Sequence, residues 1–318
     1  MEGQYSVALS VPPEIFLEII AYYHNTRLPY ERHPKASSEK ILFGRFEVLR
    51  ALSRTCQYFR RIFFSLVWEH LELLDTRTSD RRDPYPDVLA RRMTGILKTP
   101  SVPRCIRTTV VDLKSSSQHN WNLSTVFVRL LTAARHLTSL HIIDISGAHV
   151  GLLSELLETR SFPSIRTLAI PCSLSRCLSA FPNIHSLVCA DTSASDYYSI
   201  ALLKASNKHC PLLDDLVNFT TSIAVIKCLL QLYPFIKTLR FRHVLSSTTL
   251  ELLCDLQHLH SIRFPYRYQH RGETLETISA AAKAIFCSSQ EQKPIQVQYS
   301  TPEADIGDVV VTVGISTI

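Results

Sequence analysis

Glycine is scarce. Only eight occur in 318 residues, which counts against architectures whose backbone must approach a phosphate closely. The nine cysteines are odd in number and form no paired framework. Several of them, including Cys56, Cys189, Cys228 and Cys254, fall at apolar periodic positions, so they read as reduced thiols acting as small hydrophobes. No apolar run reaches the ~18 residues of a membrane span; the best stretch, SIAVIKCLLQLY, is broken by Lys227 and Gln231. The opening MEGQYSVALSVPPE lacks a basic region followed by a long apolar run, so no secretory signal is expected. The chain is thus expected to be soluble, in the cytoplasm or the nucleus. Catalytic signatures are missing as well: there is no G-x-S-x-G elbow, H-E-x-x-H, P-loop or G-x-G-x-x-G. Cys172 with Cys177, and the adjacent His209 and Cys210, lack a second ligand pair at zinc spacing. Asp214 and Asp215 are neighbours on an expected strand and would face opposite ways. His136, His185 and His258 lie near expected strand starts and read as turn or surface residues. A non-enzymatic chain without metal or cofactor is expected.

What is present is apolar substance and an uneven charge. The chain is 46% hydrophobic and carries a net charge of +6, enough length for a large core or two domains. Residues 27–107 hold seventeen Lys/Arg against nine Asp/Glu, a basic third that suits an acidic partner or a solvated surface. Nucleic acid is disfavoured, because aromatic stacking platforms are not interleaved with these arginines. Pro12, Pro13 and Glu14, followed by Ile15, Phe16, Ile19 and Ile20, predict an amphipathic helix over about 12–23. Residues 25–40, NTRLPYERHPKASSEK, read as a polar insert. From residue 43 to 67 the apolar positions Leu49, Leu52, Cys56, Phe59 and Phe63 advance by three and four, with arginines between them. Residues 75–87 form a charged, turn-rich linker, and DVLARRMTGILK a further helix.

Beyond residue 100 the chain repeats. ARHLTSLHI, FPSIRTLAI, FPNIHSLVC, CPLLDDLVN, YPFIKTLRF and LQHLHSIRF share one pattern, centred on Leu140, Leu168, Leu187, Leu216, Leu239 and Ile262. These spacings fall in the leucine-rich-repeat range of about 20–29. Helical segments such as GLLSELLETR, AVIKCLLQLY and TLELLCDLQHL lie between, the last with Thr248 and Glu251 at capping-box spacing. A single strand-helix unit cannot bury both faces, so the units must stack. The predicted fold is α/β, an irregular leucine-rich solenoid over 101–318, with PIQVQYS and DVVVTVGIST as closing strands.

The first part of the chain carries a family pattern. VPPEIFLEII followed by LRALSRTCQYFRRIFFSLVWEHLEL resembles the F-box: Val11, Pro12, Glu14, Ile15, Ile19 and Ile20 match its first half, and Leu49, Leu52, Cys56, Phe59, Arg60, Leu66 and Trp68 its second. The likeness covers residues 11–73, with the usual initial Leu replaced by Val11 and the insert separating helices normally joined by a short loop. Residues 74–100 become linker and short helix. With the repeats behind it, the chain is similar to the expanded fungal F-box and leucine-rich-repeat proteins. That resemblance implies an adaptor of a Skp-cullin-F-box ubiquitin ligase, with Skp and cullin as partners and the repeats holding a protein substrate. By the same resemblance Val11, Pro12, Ile15, Ile19, Leu52, Cys56 and Trp68 would meet Skp. The alternative is a leucine-rich binding scaffold unconnected to ubiquitin, its N-terminal helices serving as a cap.

Residues alternating with the strand leucines would line one sheet face. They grade from small and apolar to basic, ending in Arg240, Arg242, Arg263 and Arg267. Guanidinium forks suit an acidic or phosphorylated segment of a substrate; equally, the arginines could keep an exposed sheet solvated.

Overall fold

The computed structural model describes residues 11–21, 45–74, 85–114, 121–191, 195–241, 246–253, 256, 258–267, 295–300 and 306–313. Of residues 21, 85–87, 121, 247, 250, 264–267, 295–300 and 306–313 only the backbone is described. The insert at 25–40 and Arg242 lie outside the described residues.

The sequence motif of the repeats is a turn that recurs with the same bonds. An apolar carbonyl accepts the amide three residues on, from Leu137 to Ala134, Ile165 to Phe162, Leu213 to Cys210, Ile236 to Tyr233 and Leu259 to Leu256. Both ends of each turn are buried, so the turn closes a helix onto the core and aims the next strand. At the start of that strand a second bond pattern repeats. The carbonyls of Arg107, Thr138, Arg166, His185, Asp214 and Lys237 each accept two consecutive amides of the following unit, at 2.8–3.2 Å. These paired bonds fix each strand against the one before it.

The result is a parallel sheet of eight strands in chain order: β1 (His70–Leu73), β2 (Thr108–Leu113), β3 (Ser139–Ile145), β4 (Thr167–Ile170), β5 (Ser186–Cys189), β6 (Asp215–Phe219), β7 (Thr238–Phe241) and β8 (Ser261–Arg267). In register they place Leu71, Thr109, Leu140, Leu168, Leu187, Leu216, Leu239 and Ile262 in one row. Every member of that row is buried. The tail adds β9 (Ile295–Ser300) and β10 (Ile306–Val313), both antiparallel, in the order β8-β10-β9. The sheet stays open, with β1 at one edge and β9 at the other.

Helices connect the strands: α4 (Tyr85–Leu97) and α5 (Ser101–Cys105), α6 (Trp121–Ala133), α7 (Gly147–Glu158), α8 (Asp196–His209), α9 (Ile223–Leu232) and α10 (Ser247–Leu253). Successive helices touch in the order of their strands, so they form one layer, and a single hydrophobic cluster runs from Leu71 to Ile262 beneath it. The interval between β4 and β5 is too short for a full helix and holds a 3-10 segment, Cys172–Ala180, kinked at Leu174. No helix among the described residues is long and apolar enough to cross a membrane.

The repeat pattern marks neither β1 nor β2, and the helical F-box likeness over 11–73 runs on through His70–Leu73. The helix instead stops at Glu69, and its last carbonyl accepts the amide of Arg107 as the first step of the sheet. The stripe over 43–67 is two helices, α2 (Arg45–Thr55) and α3 (Gln57–Glu69), broken at Cys56 in an extended conformation. Ser53 and Thr55 explain the break: their hydroxyls donate to the carbonyls of Arg50 and Leu52, taking up the acceptors of the last turn. The cap of α10 is Ser246, whose hydroxyl accepts the amide of Thr249 at 3.2 Å, and not Thr248.

The stacked ring pair Phe162 and Phe181, 5.6 Å apart, sits where the 3-10 segment meets the core, and Phe181 is fully buried. Phe181→Ala should therefore cost about 3–5 kcal/mol, measured by denaturant unfolding; a loss below about 1 kcal/mol would contradict this packing.

Candidate functional site

The N-terminal helices build a small core of their own. α1 (Pro13–Ala21) lies on α3 through Phe16, whose ring meets Phe59 edge-on at 5.0 Å and Phe63 at 6.3 Å. Tyr58 donates its hydroxyl to the Val11 carbonyl at 3.3 Å, which fixes where the helix begins. Ile20, Leu49, Phe63 and Val67 close this core. Nine residues of PEIFLEIIA are mostly apolar, however, and one face of so short a helix cannot bury them all. Ile15, Leu17 and Ile19 remain 45%, 42% and 50% exposed; Ile15 and Ile19, at i and i+4, share one face, and Leu17 lies on the far side of the core-facing pair Phe16 and Ile20. Pro12 is exposed beside them and Val11 half-buried.

The second half of the expected docking set is arranged differently. Leu52 is half-buried against the small core, and Cys56 is exposed at the break between α2 and α3. Trp68 packs against both hydrophobic clusters, with Phe64 6.5 Å away, so it is the joint between the N-terminal helices and the sheet. Cys56 and Trp68 border a cleft of about 1140 Å³ between α2, α3 and the start of the sheet, and Arg50, Arg54, Arg60 and Arg92 border it too. The residues expected to meet one partner thus share no single surface: Pro12, Ile15 and Ile19 are exposed on or beside α1, Cys56 and Trp68 border the cleft, and Leu52 packs on the small core. Leu17 and Phe46, the latter 41% exposed, are further exposed apolar residues that the family pattern does not name; Phe46 borders the cleft.

On the sheet face away from the helices the register sets out two further rows. The first runs His70, Thr108, Ser139, Thr167, Ser186, Asp215, Thr238, Ser261, and all are half-buried where they could offer polar groups. The second runs Glu72, Val110, His141, Ala169, Val188, Val217, Arg240, Arg263. Its middle is buried rather than open: Ala169, Val188 and Val217 form their own cluster. Arg240 is engaged, its Nη2 2.5 Å from Asp215 Oδ2, and Ser186 donates to the same oxygen at 2.7 Å. Arg263 is exposed. Of the four arginines expected to gather into an anion site, then, Arg240 is neutralised by Asp215, Arg267 is described only as the backbone partner of Ile306, and Arg242 lies outside the description. His136, His185 and His258 are exposed near strand starts, in line with a surface reading.

No family model matches the chain, and no curated protein matches it. What bears on function is therefore the arrangement itself: an apolar helix face, a basic cleft and a long patterned sheet, all suited to macromolecular contact.

Within the second row His141 is nearly inaccessible, at 1% exposure, with its Nε2 2.6 Å from the Ser139 hydroxyl. Burial, reinforced by the charge of His70, pulls its pKa from 6.5 to about 4. The folded chain therefore holds the imidazole neutral where the unfolded chain binds a proton, and stability falls as pH drops from 6.5 towards 4. The contribution is on the order of 3 kcal/mol. His141→Gln, which keeps a polar group for Ser139, should shrink the stability difference between pH 7 and pH 4 by that amount; an unchanged difference would show that His141 does not carry it.

Proposed function

We propose that this chain is a non-catalytic protein-binding adaptor: the N-terminal helices dock the Skp subunit of a Skp-cullin-F-box ubiquitin ligase, and the strand-helix repeats, read as leucine-rich units, hold a protein substrate. One observation carries the reading. Helix α1 is anchored by Phe16 and Ile20 yet leaves Ile15, Leu17 and Ile19 exposed. Burying the exposed half of such a side chain gains about 1 kcal/mol, so a complementary apolar groove on a partner has a driving force here. Ile15 and Ile19 are also positions that the F-box resemblance assigns to Skp. The net positive charge of the cleft that Cys56 and Trp68 border favours a partner surface that is acidic where it meets α2 and α3.

A scaffold unconnected to ubiquitin is the second reading, and the internal placement of Trp68 favours it, since that residue already has its packing partners within the chain. Substituting Ile15 and Ile19 together by Asp separates the two. Both side chains lie outside the core, so the unfolding temperature should change little while co-purification with Skp falls at least tenfold, about 1.4 kcal/mol or more. Undiminished Skp binding would reject the docking assignment; no Skp binding by the parent chain would favour the scaffold.

A further inference from the structure

Along the sequence Cys172 stands nearest to Cys177, with no second ligand pair at zinc spacing. In three dimensions Cys177 turns away, 3.4 Å from the Ser154 hydroxyl, and Cys172 meets Cys189. Cys172 opens the 3-10 segment just after β4, and Cys189 ends β5 opposite Ile170. Their sulfurs stand 3.2 Å apart and both residues are buried. Two residues beyond Cys189, Asp191 turns its carboxylate onto the same spot, with Oδ2 accepting the Cys172 amide at 2.6 Å. The two sulfurs and a carboxylate oxygen all lie within 4.8 Å of one another.

From this juxtaposition we infer that Cys172, Cys189 and Asp191 form a three-ligand site for a thiophilic divalent cation of the zinc class. Zinc binds sulfur at about 2.3 Å in a tetrahedral arrangement, which sets two thiolates about 3.8 Å apart. The observed sulfur pair needs to open by about 0.6 Å to reach that geometry, whereas a disulfide of about 2.05 Å requires closing by roughly twice as much. Binding replaces two S–H protons: M²⁺ joins both sulfurs and Asp191, and two protons leave to solvent. Affinity therefore rises with pH. The site joins β4 to β5 at the shortest interval between repeats.

The test uses the full chain, reduced and freed of chelator, titrated with Cd²⁺ and followed by the ultraviolet thiolate-to-metal band. The band should saturate at one equivalent and disappear in Cys172→Ser and in Cys189→Ser, while Cys177→Ser and Cys210→Ser keep it. In case a serine variant fails to fold, X-ray absorption of the parent chain loaded with one equivalent of Zn²⁺ gives a second measure: two sulfur scatterers at about 2.3 Å with lighter neighbours. No band at one equivalent, a band that survives in both folded variants, or a zinc shell without two sulfurs would each overturn the assignment.

Discussion

Everything in this molecule rests on the step from one strand to the next. A strand-helix unit has two faces and too little chain to bury either alone, so its stability comes from the neighbours on each side. The doubled amides accepted by Arg107, Thr138, Arg166, His185, Asp214 and Lys237 set that step to the residue. A slip of one position would turn the buried Leu140–Ile262 row outward and bring Ser, Thr and Asp into the core. Because the bonds involve backbone only, the units between them can vary freely in length. That tolerance is why a full helix α8 and a kinked 3-10 segment serve equally as returns to the sheet.

The legible part of the sequence was the part that uses leucine to mark this step. Six strands announce themselves through Leu140, Leu168, Leu187, Leu216, Leu239 and Ile262. β2 obeys the same pattern, and Ile106-Arg107-Thr108-Thr109 even repeats Ile165-Arg166-Thr167-Leu168, but Thr109 stands in the marking position and hid it. Thr109 is nevertheless buried in register with Leu140, since a β-branched residue fills a strand position almost as well as leucine. β1 was hidden for another reason: it follows α3 without a break, and His70–Leu73 continues an apolar pattern that fits either element. The pairing with β2 decides it, and long-range pairing is invisible to a local window.

Site residues divided along the same line. The exposed face of α1 could be read locally, because Ile15 and Ile19 recur at helical spacing and the family pattern names them. What sequence could not supply was the cross-strand neighbour. Arg240 was read as part of a basic column, yet Asp215 on the adjacent strand lies one diagonal away, within reach of a long side chain, and takes its charge. Asp191 and Cys189 are brought to Cys172 by the same register. Linear spacing along one segment cannot report a group assembled from two consecutive units.

Trp68 explains how the two hydrophobic clusters become one body. Its ring packs on both, at the end of a helix whose final carbonyl starts the parallel ladder at Arg107. The last helix before the sheet is therefore tied to it twice, by side chain and by backbone. The break at Cys56 gives α2 its own direction, and the cleft bordered by Arg50, Arg54, Arg60 and Arg92 opens between that helix pair and the first strand. A partner seated on α1 alone would touch only the small core. One that also entered the cleft would lean on Trp68 and so on the edge of the sheet. The N-terminal helices and the strand edge are thus joined as one body, and the cleft keeps a fixed orientation relative to the first strands.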